Sequence, residues 1–246
     1  MQNNSYILIS GATSDIGREI AKTLSPNYPL LLHGRNAETL ETLKKELNPS
    51  NPIALWCADL TDIYNVKSSL KELLMAKQLC VEGFVHCAGT LKILPFKTFR
   101  EDYIKEIFDV NLFSAIAILQ VLLMKNNLSA LKRVLFISAL SSKRGDKGNT
   151  MYASSKGALD ALAKSLAIEL APNINVNAIL PGNIKTKMTE NMYNDIEKRA
   201  TLESQYPIGH GQCRDIALMV QFLLGEGGRW ITAQNYFVDG GASMFL

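Results

Sequence analysis

The chain has 246 residues, of which 47% are hydrophobic and 20% are charged, and this composition excludes disordered and fibrous proteins. Its net charge of +3 comes from dispersed Lys and Arg residues, so no basic stripe indicates a nucleic-acid partner. There is no signal-peptide pattern and no apolar run long enough to cross a membrane. We therefore expect a soluble cytoplasmic protein that forms one domain over residues 1–246.

Seven short apolar runs recur along the chain and predict seven β-strands. Within each run the apolar residues follow one another without alternating with polar ones, which indicates strands that are buried on both faces. The runs are YILIS near residue 6, PLLLHG near 29, PIALWCADL near 52, GFVHCAG near 83, RVLFISA near 133, INVNAILPG near 174 and NYFVDGG near 235.

Segments with helical spacing of apolar residues lie between these runs. Asn36 and Asp62 precede two of them and are typical N-cap residues. The predicted helices span residues 15–25, 36–47, 62–78, 101–127, 151–171 and 213–224.

The regular alternation of strands and helices predicts the fold class. Strands joined by helical crossovers form parallel sheets, because each crossover returns the chain to the same end of the sheet. We expect an α/β, doubly wound, seven-stranded parallel sheet of the Rossmann type. Such sheets bind ligands beyond the carboxyl ends of their strands, so the functional residues are sought there.

The turn after the first strand indicates a phosphate-binding site. In SGATSDIGREIAKTL, Gly11 and Gly17 flank the start of a helix, where small residues admit a pyrophosphate to the helix N-terminus. Asp15 stands where a glycine is usual, and its charge is unfavourable there unless the side chain faces away. Taken alone, a purely structural glycine turn explains this segment equally well.

The end of the second strand predicts the cofactor's preference. Gly34 and Arg35 provide room and positive charge, whereas sites for NADH usually carry an acidic residue at this point. We therefore expect NADPH to be preferred over NADH. The alternative is a solvated arginine that opens the next helix.

Cysteines and histidines are few and scattered. The cysteines form no CxxC pair, and three of them lie in apolar segments, as is typical of reduced cytosolic proteins. No histidine pair has a zinc-ligand spacing, so we expect no metal. The residues are Cys57, Cys80, Cys87, Cys213, His33, His86 and His210.

Tyr152 and Lys156 lie one helical turn apart in the apolar segment TMYASSKGALDALAKSL. Alone, such a pair is more often a surface tyrosine packed on a lysine stem. Together with the other motifs, however, the chain resembles the short-chain dehydrogenase/reductase family, and its C-terminal segments resemble 3-oxoacyl carrier-protein reductases. The motifs are Gly11, Gly17, Asp59, Ala88-Gly89, Asn111, Tyr152, Lys156 and Pro181-Gly182.

The resemblance implies a binding site for a nicotinamide dinucleotide. The glycine turn would line the pyrophosphate and ribose, the residue after the second strand would face the adenosine phosphate, and Tyr152 and Lys156 would hold the nicotinamide ribose. Asp59 could instead be a turn residue before a helix. The implied binding residues are Gly11, Ser14, Asp15, Ile16, Gly17, Arg35, Asp59, Leu60, Ala88, Gly89, Tyr152, Lys156, Pro181, Gly182, Ile184 and Thr186.

The resemblance also implies carbonyl reduction. Tyr152 would donate a proton to the substrate oxygen, and the ammonium of Lys156 would bring the pKa of the phenol towards neutrality. Asn111 would brace Lys156 through a water molecule. The serine that members of the family carry 13 residues before the tyrosine is here Ala139, so we assign Ser138, with Ser141 as the lesser candidate.

Where the family usually has Asn-Asn-Ala-Gly, this chain has His86-Cys87-Ala88-Gly89, and His86 is interpreted as a packed strand residue. Residues 187–210 are expected to form a substrate lid. The leading substrate is a 3-oxoacyl thioester of a carrier protein or of coenzyme A, as in fatty acid biosynthesis, followed by another ketone or a sugar. The resemblance implies a homotetramer or a homodimer, and a catalytically weak dinucleotide-binding sensor is the alternative function.

Overall fold

The computed structural model describes residues 5–189 and 204–245. Its centre is a seven-stranded sheet in the order β3-β2-β1-β4-β5-β6-β7, in which all neighbouring strands run parallel. This confirms the predicted fold class. The strands are β1 (Ser5–Ser10), β2 (Leu30–Gly34), β3 (Ile53–Cys57), β4 (Cys80–His86), β5 (Arg133–Ile137), β6 (Asn175–Pro181) and β7 (Asn235–Val238).

Helices cover both faces of the sheet, and the predicted N-caps form. The side chains of Asn36 and Asp62 accept hydrogen bonds from backbone N–H groups of the first turns of α2 and α3, and Ser14 caps α1 in the same way. The helices are α1 (Asp15–Leu24), α2 (Ala37–Glu46), α3 (Ile63–Ala76), α4 (Glu101–Phe108), α5 (Ser114–Leu122), α6 (Lys125–Leu128), α7 (Thr150–Glu169) and α8 (Cys213–Leu224).

The helix predicted over 101–127 is wrong as a single element. A π-helical turn, Asp109–Phe113, joins α4 to α5, and the chain bends again before α6. A π-turn inserts one extra residue into a helix, and such insertions often lie at functional sites. Here the inserted turn carries Asn111.

Two hydrophobic clusters, one on each face of the sheet, form the core. The central strands β1 and β2 are almost wholly buried, whereas the edge strands β3 and β7 are only half buried, since each has a neighbour on one side alone. No helix within the described ranges is long and apolar enough to span a membrane.

The strand order reverses at β1, because β2 pairs on one side of it and β4 on the other. At the carboxyl end of these strands Ser10 is in register with His86, so the turns that follow β1 and β4 lie side by side. This is the position at which open α/β sheets bind ligands. The predicted lid falls largely on residues 190–203, which lie outside the described residues.

Candidate active site

Three adjoining cavities open at the carboxyl ends of the strands. The first, of about 320 Å³, lies between the β1 turn, the end of β5 and the segment after β6. The second, of about 300 Å³, shares Ala139 and Tyr152 with the first and extends towards Ser141 and Tyr206. The third, of about 340 Å³, lies beside the ends of β1 and β2.

These cavities bring together most of the residues that the sequence predicts. The exceptions are Gly17, Asp59 and Asn111, which line none of the three. The predicted residues that do line them are Gly11, Ser14, Asp15, Ile16, Arg35, Leu60, Ala88, Gly89, Ser138, Tyr152, Lys156, Pro181, Gly182, Ile184 and Thr186.

The glycine turn is shaped by close backbone contacts. Gly11 has a φ of +67°, and a Cβ atom there would lie 2.6 Å from the Cα atom of Ala88. A Cβ atom on Gly17 would lie 2.2 Å from the carbonyl oxygen of Gly11. Both positions therefore need glycine for packing, and Gly17 supports the turn from behind instead of facing a cavity.

The carboxylate of Asp15 binds the segment that follows β6. Its Oδ2 atom accepts a hydrogen bond of 2.7 Å from the backbone N–H of Lys187, which follows β6. Ser14 also supplies the N-cap of α1 by accepting from the N–H of Gly17. The carboxylate thus ties the segment after β6 to the start of α1, and both residues of this link line the first cavity.

Two buried histidines fix the strand ends around this turn. The N–H of Gly11 donates to His33 Nδ1 at 3.1 Å, and His33 Nε2 lies 3.1 Å from the carbonyl oxygen of Ala58. His86 Nδ1 lies 2.8 Å from Ser10 Oγ. Burial lowers the pKa of His33 to about 4 and that of His86 to about 3, so both are neutral packed residues, as predicted for His86.

At the end of β2, Arg35 is exposed at the rim of the third cavity. Asp59 turns its Oδ1 atom towards Thr61, accepting from the backbone N–H and from the hydroxyl, both at 2.9 Å. These hydrogen bonds lower the pKa of Asp59. Asp59 Oδ1 therefore stabilises the turn before α3, which is the alternative role that the sequence suggests. The contact of Asp59 with adenine stays a prediction.

Tyr152 and Lys156 meet in the first cavity, and burial governs both groups. Lys156 Nζ donates to the carbonyl oxygen of Ile137 at 2.8 Å and lies 5.8 Å from the centre of the Tyr152 ring. Burial raises the pKa of Tyr152 to about 12, with a smaller contribution from Cys87, and lowers that of Lys156 to about 8. The predicted lowering of the Tyr152 pKa is therefore wrong for the protein alone, because burial of the phenol raises this pKa.

Asn111 holds the turn after β4 from within its π-helical turn. Its Oδ1 atom accepts from the N–H of Thr90 at 2.7 Å, and its Nδ2 atom donates to the carbonyl oxygen of Thr90 and to Ser155 Oγ. These direct contacts keep Gly89, the preceding residue, beside Lys156. The predicted water-mediated brace between Asn111 and Lys156 stays a prediction.

The three candidate positions for a substrate-binding hydroxyl differ in their surroundings. Ser138 Oγ donates to the carbonyl oxygen of Lys156 at 3.2 Å and is buried. Ala139 lines the first and second cavities. Ser141 lines the second cavity, and its Oγ atom has no hydrogen-bond partner among the described residues. The assignment of Ser138 stays a prediction.

Comparisons with known proteins match this geometry. The family model described as Enoyl-(Acyl carrier protein) reductase matches residues 11–243. Over 241 residues the chain is 31% identical to a 3-oxoacyl-[acyl-carrier-protein] reductase of Rickettsia bellii (strain RML369-C), covering 96% of each protein. A short-chain dehydrogenase/reductase from Brucella melitensis superposes with a TM-score of 0.88 at 25% identity, covering 98% of this chain and 97% of that one. The chain belongs to the short-chain dehydrogenase/reductase family.

Other proteins that are similar to this chain have names that specify different substrates. A D-erythrulose reductase from Gallus gallus is 28% identical over 238 residues, covering 95% of this chain and 94% of that protein. A 4-hydroxyisoleucine dehydrogenase complexed with NADH superposes with a TM-score of 0.90 at 27% identity, covering 98% and 99% of the two chains. The protein is thus an oxidoreductase of the nicotinamide-dinucleotide class.

Sequence reasoning missed several residues of this site. The role of His33 as a bridge between three strands and the link from Asp15 to Lys187 both depend on long-range contacts. The position of His33 at a strand end, next to Gly34, was the available signal for the first. No local signal indicated the second, because its partners are 172 residues apart.

Proposed function

We propose that this protein is an NADPH-dependent reductase that converts a ketone into a secondary alcohol, with a 3-oxoacyl thioester as the leading substrate class. The observation that carries the proposal is the meeting of Tyr152 and Lys156 in a cavity that is continuous with the glycine turn of β1. The phenol can donate a proton, the ammonium can stabilise the phenolate that remains, and the close backbone turn can admit a dinucleotide.

The residues fit a nicotinamide dinucleotide. Gly11 and Ala88 bring two backbone turns together without intervening side chains, and α1 presents its N-terminus to the same space. A Cβ atom at Gly89 would lie 3.4 Å from Lys156 Nζ, in van der Waals contact, so the absence of a side chain leaves the space beside the ammonium open. When bound, the dinucleotide supplies the hydride.

The chain's own residues handle the proton. Tyr152 retains its proton at neutral pH because burial raises its pKa to about 12, and it can donate to a substrate alkoxide, which is the stronger base. Lys156, with a pKa lowered to about 8, is mostly protonated at pH 7 and stabilises the phenolate that remains. A tyrosine that starts protonated favours reduction over oxidation, and the rate of reduction should fall as pH rises through about 8.

The preference for NADPH rests on charge at the third cavity. Arg35 provides a cation at the end of β2, and no acidic residue stands there to bind the ribose hydroxyls of NADH. Glu106 also lines this cavity, but its Oε2 atom is 2.8 Å from Lys92 Nζ. The surroundings therefore suit a 2′-phosphate.

The second cavity supports an elongated substrate with an apolar part. Leu91, Ile93 and Met188 line it together with polar groups. A carrier protein needs free basic residues near the entrance, but Lys143 Nζ is 2.9 Å from Asp160, and the side chain of Arg144 is within 3.5 Å of Asp146. This favours a coenzyme A thioester or another small ketone over a large acidic partner.

Assembly and location are further parts of the proposal. Ile168 on α7 and Trp230 after α8 are exposed apolar side chains, which supports a homotetramer, or a homodimer if one surface remains free. The four cysteines are unpaired, which supports a cytoplasmic location.

Steady-state oxidation of NADPH with a panel of ketones tests the function. The panel contains acetoacetyl-CoA, simple ketones and keto sugars. We expect turnover, and we expect Tyr152→Phe to reduce it by a factor of at least about 100 while the Kd for NADPH stays within about threefold. Tight NADPH binding without turnover of any ketone would instead support the dinucleotide-binding sensor.

A further inference from the structure

One functional hydroxyl of the reductase site is unaccounted for. Hydride addition places negative charge on the substrate oxygen, and a second donor beside Tyr152 stabilises that charge. Resemblance to the family places this donor at Ala139, whose methyl group cannot donate a hydrogen bond. We propose that Ser141 is the catalytic residue that donates this hydrogen bond, an inference that rests on the proposed reductase function.

Ser138, the donor expected from the sequence, already uses its proton. It is buried at the end of β5, and its hydroxyl donates to the carbonyl oxygen of Lys156 inside α7. A hydroxyl group has one proton to donate. Ser138 would have to break this hydrogen bond to serve a substrate, leaving the carbonyl oxygen without that donor. Its contact therefore fixes β5 against α7.

Ser141, in contrast to Ser138, has a hydroxyl group that is not engaged in a hydrogen bond with a described residue. It lines the second cavity together with Ala139 and Tyr152, and its Oγ atom is shielded from solvent without a partner among the described residues. Buried hydroxyl groups in proteins almost always have a hydrogen-bond partner. A serine side chain has three staggered positions, and in our proposal one of them directs the hydroxyl of Ser141 to the substrate. An unpaired donor at this cavity points to a substrate atom as its partner.

The turn that carries Ser141 is fixed to the helix that carries Tyr152. Leu140–Ser142 form a short 3₁₀ turn directly after Ala139. Ser142 Oγ donates to Asp160 Oδ2 at 2.6 Å, and Lys143 Nζ lies 2.9 Å from the same oxygen. Asp160 is buried on α7, two turns after Tyr152.

This anchor gives Ser141 a defined position relative to Tyr152. Two neighbouring residues of the turn bind one carboxylate, so the turn cannot shift without breaking a buried hydrogen bond and an ion pair. Both Ser141 and Tyr152 would donate to the same substrate oxygen. Tyr152 then gives up its proton to the alkoxide, whereas Ser141 keeps its own.

Four variants test the proposal against the purified full-length protein. Ser141→Ala should lower kcat/KM for the best ketone of the panel by about 100-fold, because one donor to a developing oxyanion is lost. Adding Ala139→Ser to this variant should recover most of the loss by returning a hydroxyl to the same cavities. Ser138→Ala should cause a much smaller loss and a lower Tm. Ser154→Ala, an exposed position on α7, is the matched control and should be unchanged.

Each result has a definite consequence. A Kd for NADPH that stays constant in all four variants, together with the loss in Ser141→Ala, supports the proposal. The proposal is overturned if Ser141→Ala has the same kcat/KM as the wild-type protein. It is also overturned if Ser138→Ala loses as much kcat/KM as Ser141→Ala.

A second measurement does not depend on turnover. Crystals grown with NADP⁺ and acetoacetyl-CoA form a complex that cannot react, since both partners are oxidised. If the 3-oxo oxygen lies within hydrogen-bond distance of Ser141 Oγ, the proposal is supported. If this oxygen instead contacts Ser138 Oγ, or contacts neither serine, the proposal is overturned. If the wild-type protein reduces no ketone, the reductase function fails. The crystal structure of the complex then still shows whether Ser141 binds the 3-oxo oxygen.

Discussion

Arg35 is the side chain on which the choice between the two dinucleotides depends in our proposal. Arg35→Ala removes the cation beside the third cavity. Because a hydrogen-bonded ion pair with a phosphate contributes about 1.5–3 kcal/mol, the Kd for NADPH should rise by about 10- to 100-fold. The Kd for NADH should change by less than about threefold. Fluorescence titration with each dinucleotide measures both constants.

The control for this variant is Arg229→Ala, which removes an exposed arginine after α8 that pairs with Glu226. It should leave both constants unchanged. Equal losses of NADPH and NADH affinity in Arg35→Ala would contradict the assignment of Arg35 to the 2′-phosphate.

His86 makes the stability of the protein sensitive to acid. Burial lowers its pKa to about 3, whereas an unfolded histidine has a pKa near 6.5. Between these values the unfolded chain binds a proton that the folded protein excludes, so the stability present above pH 6.5 is lost as pH falls. At pH 5 the loss through this one residue is about 2 kcal/mol.

His86→Asn should therefore remove about 2 kcal/mol from the difference in unfolding free energy between pH 7.5 and pH 5. Urea denaturation at the two pH values measures this difference, and comparing differences cancels any constant loss of packing. His33, whose pKa is lowered to about 4, keeps its own contribution in the variant. His210→Asn serves as the control, and an unchanged pH dependence in His86→Asn would refute the prediction.

The sequence predicts which residues form the site better than it predicts their pKa values. The spacing of Tyr152 and Lys156 predicts that they share one face of a helix, because one helical turn is a local property. The resemblance to the family then implies their role. The direction of the Tyr152 pKa shift was wrong, because it depends on how far surrounding elements exclude water from the phenol. The hydrogen-bond partners of Ser138 and Ser141 also depend on surrounding elements. The sequence therefore could not show which of the two hydroxyls is already paired.

At the level of elements, the strands were predictable and the interruptions of helices were not. All seven strands overlap the predicted apolar runs, since burial on both faces leaves a continuous apolar sequence, although β4 begins three residues before its run. The π-turn at Asp109–Phe113 has no such signature, because the apolar spacing of α4 and α5 continues through it. The bend before α6 was missed for the same reason.

The bend before α6 places Asn127 beside β4. Its buried side chain pairs with the start of β4: Oδ1 accepts from the N–H of Val81, and Nδ2 donates to the carbonyl oxygens of Val81 and Leu122. Asn127→Ala leaves these buried backbone groups unpaired. We expect a loss of about 2–4 kcal/mol in unfolding free energy, measured by urea denaturation.

The neighbouring Asn126→Ala is the matched control, because Asn126 is exposed. It should change the unfolding free energy by less than about 0.5 kcal/mol. A similar small change in Asn127→Ala would show that the bend does not hold β4.

At the scale of the whole molecule, exposed apolar side chains of the described residues include two surfaces that bear on assembly. The first lies on α8, the turn after it, β7 and the C-terminal residues, where Phe222, Trp230, Phe237 and Met244 are exposed. The second lies on α7, where Ile168 is exposed. Apolar surfaces of this kind on separate faces mark separate contacts between subunits.

Two interfaces on different faces generate a tetramer, and one generates a dimer. Phe237→Lys places a charge in the first surface and Ile168→Lys places one in the second. Each variant should convert a tetramer into a dimer, and the double variant should be monomeric, as measured by light scattering during gel filtration. Thr42→Lys, at an exposed position on α2, should leave the mass unchanged. If only one of the two variants lowers the mass, the protein is a dimer through that surface. A monomeric unchanged protein would exclude assembly through either surface.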